Sequence, residues 1–77
     1  MLVRLYSRPG CHLCDVAREV IEAERGRTGF TFKEISVEGH DRLELEYGIR
    51  IPVVTIDGRE TFEIEVDPEE FAALVRA

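Results

Sequence analysis

The chain's only two cysteines stand three residues apart in Cys11-His12-Leu13-Cys14, between a strand-like apolar run (Leu2-Val3-Arg4-Leu5-Tyr6) and a helical pattern. A pair at that junction constrains the fold strongly. The chain must leave a strand, turn through Ser7 to Gly10, and enter a helix with a cysteine at its start. There the first sulfur meets unpaired backbone N–H groups and the positive end of the helix dipole, both of which favour thiolate over thiol. The thiolate is the nucleophile of disulfide exchange. A second cysteine one turn further in can attack a mixed disulfide on the first, so the pair can complete an exchange cycle by itself.

The remaining pattern can be read from this junction onward. Val16, Ala17, Val20, Ile21 and Ala23 recur at helical spacing, and the helix is predicted to end near Gly26, with Arg25 and Arg27 at its negative end. Phe30, Phe32, Ile35 and Val37 mark a second strand, parallel to the first because a helix separates the two. Residues 39–47 carry Leu43 and Tyr47 four apart, a short helix with Gly48 as its C-cap. Ile51 to Ile56 reads as a strand entered through Pro52. Asp57-Gly58 is a two-residue hairpin signal leading into a strand over 61–66. Asp67-Pro68-Glu69-Glu70 supplies an N-cap, an N1 proline and a capping-box glutamate for a last helix bearing Phe71, Leu74 and Val75. The order is βαβαββα in one domain over residues 1–77, with no linker.

Composition narrows the function. A chain of 77 residues buries only roughly 60–65% of the surface its unfolded form exposes, so its core must be economical. The formal net charge is −6, with acids spread over helix faces and one hairpin, which leaves no concentrated positive surface for nucleic acid. Apolar runs of a few residues fall far short of the roughly 20 that span a bilayer. The start, Met1 to Tyr6, carries Arg4 and passes straight into the cysteine loop, unlike an export signal. The expected compartment is the cytoplasm, where two cysteines at this spacing mean redox or metal work more often than a structural staple. Nine arginines against one lysine, no Asn or Gln, and 34% charged residues are consistent with a thermophilic source or with codon bias.

The element order, the cysteine pair in Ser7-Arg8-Pro9-Gly10-Cys11-His12-Leu13-Cys14, the segment Tyr47-Gly48-Ile49-Arg50-Ile51-Pro52 and the Asp57-Gly58 hairpin together resemble the glutaredoxin-like family of the thioredoxin superfamily. The resemblance spans the whole chain. It implies an α/β, thioredoxin-like fold with a four-stranded mixed sheet and three helices. It also implies a thiol–disulfide oxidoreductase in which Cys11 attacks and Cys14 resolves. Depth supports that division, since the first sulfur is exposed and the second lies inside the first turn. Ile51-Pro52 is expected to be a cis peptide facing the cysteines, its loop offering backbone groups to an extended substrate.

The neighbouring residues carry weighed expectations. His12 stands where the family often has proline, and an imidazole beside the thiolate would favour it; a solvated surface histidine is the plainer outcome. Arg8 occupies the position of the usual glutaredoxin lysine and can supply charge without acting as a proton donor, or would be an exposed arginine paired with a neighbouring glutamate. Arg50 would face the same sulfur if its loop closes as in thioredoxins, or would pair with a neighbouring glutamate. Leu13, Val16 and Phe62 read as core or apolar rim, and the glutamates as solvated faces. Zinc needs four ligands, and beyond the cysteines only His12 and His40 remain, so no metal and no cofactor are expected. An iron–sulfur or metal carrier on the same fold is the alternative function.

The partners implied are a disulfide-containing protein or small thiol and an external reductant, either thioredoxin reductase-like or glutathione, with the chain acting as a monomer. Glutathione itself is disfavoured. The family's Gly-Gly pair before the last helix is replaced here by Ile64-Glu65-Val66-Asp67-Pro68, which is bulkier, acidic and short of one backbone donor.

Overall fold

In the computed structural model, which describes residues 1–77, strand β1 (Leu2–Ser7) takes the centre of the sheet. Its residues satisfy both faces. Val3 and Leu5 are fully buried on one side, and Tyr6 is buried on the other. Helix α1 (His12–Thr28) carries the chain over to β2 (Thr31–Ser36), which pairs with β1 in parallel. Helix α2 (Asp41–Tyr47) leads to β3 (Val53–Ile56), antiparallel to β1, and a hairpin adds β4 (Arg59–Glu63) before helix α3 (Pro68–Arg76). The sheet order is β2-β1-β3-β4, the four-stranded mixed sheet with three helices that the element order predicted. No helix is long and apolar enough to cross a membrane.

Two apolar clusters fill the faces of this sheet. Val3, Leu5 and Val54 meet Ala17 and Ile21 of α1, Phe30, and Phe71 and Val75 of α3. The buried positions of α1, Cys14, Ala17, Ile21 and Glu24, fall three or four apart and form one stripe, which brings the second cysteine into the core. On the opposite face Tyr6, Val37 and Val53 pack beneath Leu43 and Tyr47 of α2 and Ile51. The rings of Tyr6 and Tyr47 stack with centroids 4.2 Å apart.

Element boundaries differ from the sequence expectations in four places. Helix α1 runs through Gly26 to Thr28, because packing of its inner stripe outweighs one glycine. It stops where Gly29, at φ 75°, turns left-handed and donates its N–H to Arg25 O at 2.9 Å. Strand β3 starts at Val53, since Pro52 has no N–H to place in the ladder. Helix α2 begins at Asp41 instead of residue 39. Strand β4 occupies 59–63 instead of 61–66. Asp57 and Gly58 both lie at positive φ (50° and 85°), a tight turn that pairs Ile56 directly with Arg59. The strand ends at Ile64, φ 71°, where Glu65 N–H reaches back to Glu63 O at 2.8 Å in a γ-turn.

Candidate active site

Cys11 is the N-cap of α1, with extended backbone angles of −95° and 107°, and its Sγ accepts the Cys14 N–H at 3.1 Å. A sulfur therefore takes the place that a Ser or Asp oxygen usually holds. Gly10, at φ 75°, makes the reversal that delivers Cys11 to this position. Cys11 is partly exposed while Cys14 is completely buried, and the two are joined in a disulfide with Cα atoms 5.2 Å apart. The outer sulfur can be approached from solvent, and the inner one can be approached only through it.

Strand register brings a second loop to the same end of the sheet. Tyr6 pairs with Val53, and Val53 with Glu63, so Ser7, Pro52 and Ile64 follow one another across that end. The Ile51–Pro52 peptide bond is cis. Pro52 is buried and its carbonyl accepts Ile64 N–H at 2.8 Å. Ile51 packs its side chain on the Tyr6 cluster, while neither its N–H nor its C=O has a partner within the chain. These groups are free for an added strand.

The polar residues singled out in the sequence take different places. His12 is the first residue of α1 and is exposed. The Arg8 guanidinium turns to α2, where it pairs with the Glu44 carboxylate and lies 3.5 Å from Gly48 O, making no contact with either sulfur. Gly48 leaves room for this arrangement: it continues right-handed (φ −49°), and a Cβ there would collide with the Glu44 carbonyl. Arg50 pairs with Glu60 at 2.8 Å and Glu63 at 3.1 Å, donates to Glu46 O, and stands 5.5 Å from the Tyr47 ring centre. Of the two placements foreseen for Arg50, this is the glutamate pairing. Hydrogen bonds that it donates to the Glu60 and Glu63 carboxylates hold its guanidinium above the ordinary arginine range, and burial pushes the Tyr47 phenol up.

A carboxylate that the sequence reading left among solvated faces pins both ends of the cysteine loop. Glu34 of β2 accepts Ser7 Oγ at 2.7 Å and takes Arg18 Nε and Nη2 at 2.6 and 2.5 Å; Arg18 also holds Asp15 at 2.8 Å. Ser7 closes β1 just before the loop, and Arg18 lies one turn beyond Cys14. The Arg18 guanidinium, helped by the Ser7 hydroxyl, holds the Glu34 carboxyl below the usual value of 4.5. Glu24, almost fully buried, is likewise held low by Arg76 and Thr28. No period or motif links position 34 to positions 7 and 18, so only the parallel register of β1 with β2 reveals the contact. No three His, Cys, Asp or Glu side chains converge as metal ligands.

A βαβαββα sheet with a C-x-x-C pair capping its first helix defines a thioredoxin-like protein with a redox-type site. The Glutaredoxin-like domain (DUF836) family model matches residues 2–76, and the chain belongs to that family. It is 36% identical over 76 residues to an uncharacterised protein of Mycobacterium tuberculosis, covering 92% of this chain and 78% of the relative. A structural-genomics target from X. campestris superposes with a TM-score of 0.81 at 32% identity, covering 96% of this chain and 95% of that one. A mutant thioredoxin from Halobacterium salinarum shares the fold, with a TM-score of 0.68 at 22% identity over 97% of this chain and 71% of that one.

Proposed function

We propose that the chain is a thiol–disulfide oxidoreductase working through Cys11 and Cys14. The observation that carries this reading is the N-cap position of Cys11: a partly exposed sulfur accepting a backbone N–H, with a buried second sulfur within bonding reach behind it. In the reduced form the Cys11 thiolate attacks one sulfur of a substrate disulfide, and the other substrate sulfur leaves as a thiolate. The Cys14 thiolate then attacks Cys11 Sγ, releasing the second substrate thiolate and closing the Cys11–Cys14 disulfide. Two electrons pass to the substrate, and solvent supplies the protons for its two thiols. An external dithiol reductant returns the pair to the reduced state.

Ile51 and Pro52 are the substrate-facing loop in this reading, with the free N–H and C=O of Ile51 pairing an extended substrate. His12 borders the entrance to Cys11. Arg8 and Arg50 act by fixing the loops around the site, through Glu44 and through Glu60 and Glu63. A reducing compartment such as the cytoplasm suits a dithiol that must be returned to its reduced state, and a monomer suffices for the cycle.

The test is reduction of insulin disulfides with dithiothreitol as electron source. The parent should be active and Cys11→Ser inactive, while Cys14→Ser should accumulate a mixed disulfide at Cys11 visible by mass spectrometry. Equal activity in parent and Cys11→Ser would sink the proposal.

A further inference from the structure

A groove of about 740 Å³ starts inside the cysteine motif and runs to the first turn of α3. Its floor is apolar. Leu13, between the two cysteines, and Val16 are each 43% exposed, Ile64 is 41% exposed, and Phe62 and Val66 continue the surface. Its rim is acidic. Glu65, Asp67, Glu69 and Glu70 line it, with no lysine or arginine among the lining residues. Asp67 accepts the N–H groups of Glu69 and Glu70 at 2.9 and 3.2 Å as the helix cap, whereas the carboxylates of Glu65, Glu69 and Glu70 have no cationic partner within the molecule.

This arrangement is opposite to what an anionic thiol requires. The N–H groups at the start of α3 that would receive a carboxylate are already taken by Asp67, and Pro68 offers none. Three uncompensated carboxylates beside an apolar floor instead complement a segment carrying both a greasy and a positively charged side chain. The cysteines fix where that segment must place its sulfur, because Leu13 belongs to both the motif and the groove.

We infer that the groove selects the substrate, and that the substrate is a polypeptide disulfide whose cysteine is flanked by an apolar residue and by lysine or arginine. This inference rests on the oxidoreductase reading. The cysteine of the cationic segment bonds to Cys11 while its former partner leaves as a thiolate. Cys14 then closes on Cys11 and frees the segment, two electrons having come from the reduced pair. Dithiothreitol restores that pair in the assay.

The experiment compares the full-length reduced protein on three disulfides: two labelled cystine peptides identical except for Lys or Glu beside Leu-Cys, and neutral hydroxyethyl disulfide. Two or three solvent-screened charge pairs predict about a tenfold faster rate constant for the Lys peptide at low salt, the ratio shrinking toward one as salt rises. The groove variant Glu65→Gln/Glu69→Gln/Glu70→Gln should lose most of that ratio. A variant that removes the same charge elsewhere, Glu22→Gln/Glu38→Gln/Asp41→Asn, should keep it. That control separates the groove from the general pull of an acidic protein. Equal rates for the two peptides, or a ratio that survives in the groove variant, overturn the inference while leaving the oxidoreductase reading intact. If none of the three disulfides is reduced faster by the parent than by Cys11→Ser, both fall together.

Discussion

Replacing Glu34 by alanine should loosen the cysteine loop at both ends, and the size of the effect follows from the two interactions its carboxylate makes. Ser7 is only 3% exposed, so its hydroxyl, deprived of the Glu34 carboxylate, is left in a place water reaches poorly. Stranding such a group costs about 1–2 kcal/mol. The Arg18 pair is partly open to solvent, with side-chain exposures of 37% and 30%, and its screened contribution is about 0.5–1 kcal/mol. The total is about 2 kcal/mol, which in a domain this small lowers the melting midpoint by about 10 °C.

Circular dichroism melts at pH 7 measure this directly, and a double-mutant cycle with Ser7→Ala tests its cause. Without the hydroxyl, Glu34→Ala should cost only the ion pair, about 4 °C. The pH dependence has a definite sign. The folded Glu34 carboxyl titrates below 4.5, so its contribution is complete above that value and is lost as pH falls through the depressed one. Parent and variant should therefore converge in acid. A Glu34→Ala deficit equally large with and without the Ser7 hydroxyl would refute the reasoning.

Two glycines should respond in opposite directions. Gly48→Ala drives a Cβ into the Glu44 carbonyl and should destabilise by about 1–3 kcal/mol. Gly26→Ala, with nothing near its added Cβ within α1, should stabilise by about 0.5–1 kcal/mol. Urea unfolding midpoints report both. Asp67→Ala removes the acceptor for Glu69 and Glu70 N–H and should cost about 1 kcal/mol in the same assay. Arginine–carboxylate pairs along α1, β4 and α3 lead us to expect a melting temperature above the about 45–65 °C of mesophile domains, and calorimetry on the parent decides it.

The order of elements and the place of the cysteine pair at the first strand-to-helix junction were legible in the sequence because both rest on local rules. Apolar spacing selects helix or strand, Asp57-Gly58 sets the hairpin, and Asp67-Pro68 starts α3. What lay beyond these local rules was decided by long-range contacts. Gly26 lies inside α1 because Ile21 packs into the core under the sheet and Glu24 is held by Arg76 of α3, and nothing local announces that. Arg8 turns to α2, since Glu44, far along the chain, arrives beside it when the second helix packs. The alternation from Thr61 to Val66 suggests an unbroken strand. The positive φ of Ile64, which divides it, has no signature in a β-branched residue that normally avoids that conformation. The exposed groove was hidden for the same reason, as Leu13 and Val16 come from one helix while Ile64 and the carboxylates come from the far end of the chain.

The short fourth strand affects how the molecule behaves in company. β4 is hydrogen-bonded to β3 on one side only, so its outer border is a template on which a strand from another molecule could assemble. Five residues give little length for such growth, Arg59, Glu60 and Glu63 crowd it with charge, and the reverse bend at Ile64 ends it abruptly. The features that stop the strand early thus discourage fibril-like accretion at the sheet margin.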